Sequence, residues 1–175
     1  PQRYFDWLRR RDAGLMEDVF EHNRLDIISM AALVKHLSDL LAGEVLTSAH
    51  PSDLIAAARL HWERGNHDAA RRFYECACDS RESSVIQDAK RALSMMHKQA
   101  GNWREAACIW EEMIVSDPGD VFAAQELAKY LEHRVHDFEG AIRIVQDILG
   151  DPPGLSVDIR SAFEYRLTRL LGKYE

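Results

Sequence analysis

The sequence predicts an all-α protein built mainly of stacked helix hairpins. Three observations predict it. Alternating β-branched runs bounded by turn residues, the signature of strands, are almost absent. Apolar residues instead recur at steps of three and four over long stretches. A short motif also returns at a near-constant interval, with Ala70, Ala106 and Ala141 spaced by 36 and 35 residues.

The first long element is expected from Leu15 to Leu41. Met16, Val19, Phe20, Ile27, Met30, Leu33, Val34, Leu37 and Leu41 supply its apolar period. Glu17, Asp18 and Glu21 fall in its first half and Lys35 and His36 in its last, the polarity that a helix dipole favours. Gly43 is a plausible stop. The stretch Thr47-Ser-Ala-His-Pro51-Ser-Asp has no apolar period and places a boundary, with one region over 1–45 and a second over 52–175.

The second region repeats. Gly65-Asn-His-Asp-Ala-Ala70 recurs as Gly101-Asn-Trp-Arg-Glu-Ala106 and, more weakly, as His136-Asp-Phe-Glu-Gly-Ala141. Four residues after each alanine stands a larger apolar group: Tyr74, Trp110 and Val145. The small residue lets two helices approach and the larger one fills the gap a turn later. One hairpin cannot bury its apolar face alone, so neighbours must stack. Pro118 and Pro153 close the second and third units. A last helix is expected from Ser156 to about Tyr174, with Arg160, Arg166, Arg169 and Lys173 between Ile159, Phe163, Leu167 and Leu170. It reads as a terminal cap with a polar outer face, or as a basic face for a partner.

Composition narrows the function classes. The 175 residues are 46% hydrophobic and 29% charged, ordinary for a soluble domain. A formal charge of −7 opposes general coating of a phosphate backbone but leaves room for local basic patches. No run approaches the roughly 18 apolar residues of a membrane span. Three cysteines, Cys76, Cys78 and Cys108, do not make a disulfide framework; they are expected to be small, mostly buried residues in a reducing, cytoplasmic compartment. The start at Pro1 suggests a processed product or a piece of something longer.

Two groupings carry possible chemistry. In Glu21-His22-Asn23-Arg24-Leu25-Asp26, the i,i+4 spacing puts His22 and Asp26 on one helix face. An imidazole and a carboxylate converging on one point suit metal-assisted hydrolysis, where carboxylates hold Mg²⁺ or Mn²⁺ and a neighbouring group handles the attacking water. The same spacing also describes an ordinary surface pair. His133 and His136, with Glu132 and Asp137, could line a metal site or simply form a turn. Arg9, Arg10 and Arg11 form a short basic cluster that reads as a solvated loop or a backbone contact. Trp62, Trp103 and Trp110 fall at core-packing positions.

The repeats resemble the tetratricopeptide family. In the second unit Leu93, Ser94, His97, Gly101, Trp103, Ala106, Trp110, Met113 and Pro118 match the signature offsets. The first unit has Glu82 at the proline position, and the third has His136 where glycine is usual. The resemblance implies a concave surface lined by the first helix of each unit, with Arg59, Glu63, Lys90, Lys98, Gln125 and Lys129 as candidate contacts for a protein or peptide.

The opening Pro1-Gln-Arg-Tyr-Phe-Asp-Trp-Leu-Arg, the polar turn with Asp12 and Gly14, and Glu21-His-Asn-Arg-Leu-Asp-Ile-Ile-Ser-Met-Ala-Ala-Leu33 resemble the end of a ribonuclease H-like exonuclease domain. The likeness is to the YprB-type family of the DEDD superfamily, and Glu126-Leu-Ala-Lys-Tyr-Leu-Glu-His-Arg134 and Tyr165-Arg-Leu-Thr-Arg-Leu170 extend it downstream. It implies that Asp26 is the fourth metal-binding aspartate. His22 stands where the Tyr of a Tyr-x-x-x-Asp motif would stand. The Asp-x-Glu strand and second Asp of such nucleases are not found here. The reading is therefore a C-terminal fragment of a metal-dependent 3′–5′ exonuclease that uses Mg²⁺ or Mn²⁺ in its full-length parent. The fragment is expected to be inactive alone and to meet nucleic acid only through the missing domain. The alternative is a peptide-binding scaffold with no nuclease role.

Overall fold

The computed structural model describes residues 2–11, 14–150 and 155–174, and these are helical with no strand among them. The expected turn at Asp12 and the closing Pro153 lie outside the described residues. The chain divides into two compact units, Pro1–Ala49 and His50–Glu175.

The first unit is a pair of helices. α1 spans Gln2–Arg10 and packs against α2, Gly14–Ala42. In α1, Tyr4 makes ring contacts with Phe5 and Trp7, at centroid distances of 5.9 and 5.7 Å. α2 ends where the periodicity places the end: Gly43 takes a φ of +80°, a left-handed conformation that glycine enters without a Cβ penalty.

Among its described residues the second unit is a succession of α-helices: α3 Pro51–Glu63, α4 His67–Cys78, α5 Ser83–Gln99, α6 Trp103–Ser116, α7 Val121–Tyr130, α8 Phe138–Gly150 and α9 Val157–Tyr174. Each packs on the next in chain order. Short polar signals start them. Pro51 occupies the first turn of α3, where its missing N–H costs nothing, and the His50 ring caps that turn by accepting from the Ser52 N–H. The Asp120 carboxylate accepts from the Ala123 N–H at 3.0 Å, and Asp137 accepts from the Gly140 N–H at 2.8 Å.

The turn register survives in the weakest copy. Gly65 and Gly101 have φ of +77° and +82°, and His136, at the equivalent position, has φ +61°. A non-glycine residue there is strained. α7 runs into a π-helical turn, Leu131–Val135, and His136 ends it in the left-handed conformation.

The recurring alanines are fully buried. Ala70, Ala106 and Ala141 each expose nothing, and Trp110 and Val145 beside them are equally enclosed. Ala106 and Trp110 share a core with Met113, Ala123 and Leu127; Ala141 and Val145 share the next with Ile148, Phe163 and Leu170. Such interiors tolerate added volume poorly. Ala106→Leu is therefore expected to destabilise this unit by about 1–3 kcal/mol through overpacking, read by urea denaturation. An unchanged midpoint would mean that the two helices do not meet at this residue.

The cysteines depart from expectation. Cys108 is exposed, and Cys76 and Cys78 are half-buried rather than enclosed. None of the three is in a disulfide, and burial pushes the Cys76 and Cys78 thiols above their ordinary value.

Candidate functional site

α2 presents a row of charged pairs set by helical spacing. Arg24 donates to both oxygens of Glu21, at 2.6 and 2.8 Å, three residues apart. That fork holds the Glu21 carboxyl below its ordinary value. One turn on, His22 Nε2 lies 3.3 Å from Asp26 Oδ2, as the i,i+4 spacing requires. Lys35 donates to Asp39 at 2.6 Å near the far end.

The His22–Asp26 pair is open to solvent, with the side chains 74% and 56% exposed. Its chemistry is limited by that openness and by ligand count. One carboxylate and one imidazole offer two donors, whereas a hard divalent ion such as Mg²⁺ demands six near-octahedral ligands. Among the described residues no group of three His, Cys, Asp or Glu could hold a metal ion. The described residues do not by themselves fit a metal site, so an ion at Asp26 would need further ligands. The pair can orient one group against the other.

The apolar side of the same helix is uncovered. Phe20, Ile27, Met30, Leu33, Val34 and Leu37 are between 46% and 63% exposed. These are the periodic positions that the sequence marks as a core face. Leu40 is buried, and Met16 and Val19 are half-buried.

In the second unit the candidate contact residues prove to be mostly engaged. Arg59 pairs with Asp88 at 3.6 Å and Lys90 with Glu112 at 3.0 Å. Lys98 and Lys129 both donate to Glu126. Glu63 and Gln125 stand exposed beside them. Several of these pairs bridge alternate helices. Arg59–Asp88 ties α3 to α5, while Arg91–Asp120 at 3.2 Å and Lys98–Glu126 tie α5 to α7 and its cap.

The group that sequence reasoning missed is Glu132, in the π turn. It is 1% exposed. Arg166 Nη1 donates to it at 3.0 Å, Arg169 Nη2 reaches both of its oxygens at 2.6 and 2.8 Å, and Lys173 Nζ donates at 2.9 Å. His133 Nε2 is 3.6 Å away. Burial raises the Glu132 carboxyl, but the Lys173 hydrogen bond and the charges of Arg169 and His133 outweigh it, so the group lies below its ordinary value. Glu126 follows the same logic: Lys129 and Lys98 overcome its burial. The cations of α9 thus turn inward onto α7, rather than forming only a polar outer face. The signal was their spacing at i, i+3 and i+7 on one helix face. His133 and His136 do not assemble a metal site; His133 flanks Glu132, and His136 forms the turn. Trp110 is core, whereas Trp103 is half-buried beneath the Arg134 guanidinium, 4.3 Å from its ring centroid.

Comparison with known proteins adds two findings. Residues 1–38 match the RNase_H superfamily model. The chain is also 28% identical, over 177 aligned positions and 99% of its length, to the uncharacterized protein YprB of Bacillus subtilis (strain 168). It spans 42% of that protein's length. The first unit is thus related to RNase H-like proteins. Among the described residues no helix is long and apolar enough to cross a membrane.

Proposed function

We propose that residues 1–45 are the closing helices of a ribonuclease H-like 3′–5′ exonuclease domain, completed by segments of a longer polypeptide, and that 52–175 form a tetratricopeptide-like accessory binding module. The observation that carries this reading is the coincidence of three features on one helix. The RNase_H superfamily match covers most of α2, a His–Asp pair stands open on it, and its apolar side is uncovered. A helix with an uncovered apolar stripe normally buries it against a sheet or another helix.

In this reading Asp26 contributes one carboxylate to a divalent metal centre, Mg²⁺ or Mn²⁺, whose other ligands lie outside this chain. The ion would activate water and neutralise charge on the phosphate. His22, whose Nε2 lies 3.3 Å from Asp26 Oδ2, stands where it can hold that carboxylate in place. For the second unit, the small alanines inside each hairpin, the shared left-handed turns and the stacking in chain order support the repeat reading. The assay is hydrolysis of a 3′-labelled oligonucleotide with Mn²⁺. The full-length polypeptide should shorten it from the 3′ end, and the present chain should leave it intact. Hydrolysis by the present chain alone would remove the reading.

A further inference from the structure

The strongest concentration of charge in the second unit lies along α7, its π turn and α9. Lys98 and Lys129 converge on Glu126, while Arg166, Arg169 and Lys173 converge on Glu132. Arg134, within that turn, is exposed, with its guanidinium carbon 4.3 Å from the Trp103 ring centroid, and Lys98 Nζ is 5.9 Å from the same ring. Five permanent cations therefore contact two carboxylates, and Arg134 in the same turn adds a sixth. Four positive charges remain in excess on a chain whose formal charge is −7. His133 adds a further charge when protonated.

The two carboxylates are close to saturated. Glu132 accepts four donor contacts, about the number of lone-pair directions a carboxylate has. The cations are not. An arginine carries five N–H groups and a lysine three, so donors on Arg166, Arg169 and Lys173 are left over once Glu132 is satisfied, although Arg169 Nε is buried and only its outer N–H groups can reach a ligand. The buried carboxylates act as anchors that hold the cationic heads in fixed positions. That lowers the entropy lost when a second anion arrives. Guanidinium forks suit phosphate oxygens, and an arginine-flanked indole suits a nucleobase face.

We propose that this ridge binds the phosphate backbone of single-stranded nucleic acid, as a grip set apart from the chemistry of α2. The choice of a nucleic acid over an acidic peptide rests on the exonuclease reading and on the aromatic plane of Trp103. The ridge goes beyond that reading because it places nucleic-acid contact in the repeats themselves.

The test is fluorescence anisotropy of the present chain with a short labelled oligothymidylate in EDTA, where no hydrolysis can contribute. Binding should weaken with salt, with a log–log slope of about −3 for four neutralised phosphates. Arg134→Ala combined with Lys129→Gln should weaken binding about tenfold at low salt and make the slope shallower by about 1 to 2. Circular dichroism checks that this variant is folded. Arg72→Ala, on the exposed side of α4, should change nothing. A single variant, Lys173→Gln, provides a second reading if the double variant unfolds. Absence of salt-dependent binding, equal binding by the ridge variants, or tighter binding of a polyglutamate peptide of matched length would each overturn the proposal. The outcome is independent of catalysis: a full-length polypeptide that hydrolyses DNA while the ridge fails to bind keeps the exonuclease reading and loses this one. Binding without hydrolysis does the reverse.

Discussion

Replacing Asp26 with asparagine in the full-length polypeptide is expected to abolish metal-dependent exonuclease activity while leaving the second unit folded. The carboxylate is the only hard anionic ligand that the His22–Asp26 pair offers. Asparagine keeps its size and its hydrogen bonding but removes the charge that holds a divalent ion. Disturbing a group that merely supports a metal ligand costs about 10–100-fold, so losing a ligand should cost at least about 100-fold in turnover. Asp26 is exposed in this chain, so the substitution is expected to leave the fold unchanged. Thermal unfolding of the variant should match the wild type. Retention of full activity would remove Asp26 from the reaction.

The largest expected effect on stability comes from Glu132→Gln. The substitution leaves Arg166, Arg169 and Lys173 converging on a neutral amide. Breaking one side of a fully buried pair costs about 3–5 kcal/mol, but these cations keep contact with water. We expect a loss of about 2–3 kcal/mol, concentrated where the cations of α9 meet the turn after α7. The pH dependence has a definite sign. The folded-state carboxyl is held below its ordinary value of 4.5, so its contribution is fully present above that value. It is lost as pH falls through the lower folded value. The wild type should therefore lose stability on acidification below about pH 4.5, and the variant should lose less over the same window. Urea denaturation between neutral and acid pH measures both. Equal stability of the two proteins at neutral pH would mean that the cluster contributes little.

The elements were readable in the sequence because their signals are local. The apolar period of α2 and Gly43 fix that helix within a residue or two, and the motif at Gly65, Gly101 and His136 fixes the turns. The strained φ of His136 shows that the repeat register outweighs the local preference of one residue. What the sequence hid is non-local. Nothing in α9 alone says that its cations turn onto Glu132, since the contacts join residues 34 to 41 apart. Arg59, Lys90, Lys98 and Lys129 were legible as exposed charges on repeat helices, but not their partners, which come from other helices or, for Lys129, from the preceding turn. The His22–Asp26 contact was legible because both residues lie on one helix; among the described residues no third metal-binding side chain joins them.

The central claim is that Asp26 helps to hold a divalent ion in a ribonuclease H-like domain. The most direct measurement is Mn²⁺ binding to the full-length polypeptide, followed by the loss of the free-ion electron paramagnetic resonance signal. The account predicts that the wild type binds Mn²⁺ and that Asp26→Asn loses at least one site or weakens it at least about 100-fold. It also predicts that the present chain alone binds no Mn²⁺ at comparable concentration. Equal Mn²⁺ binding by wild type and Asp26→Asn, in stoichiometry and affinity, would contradict it.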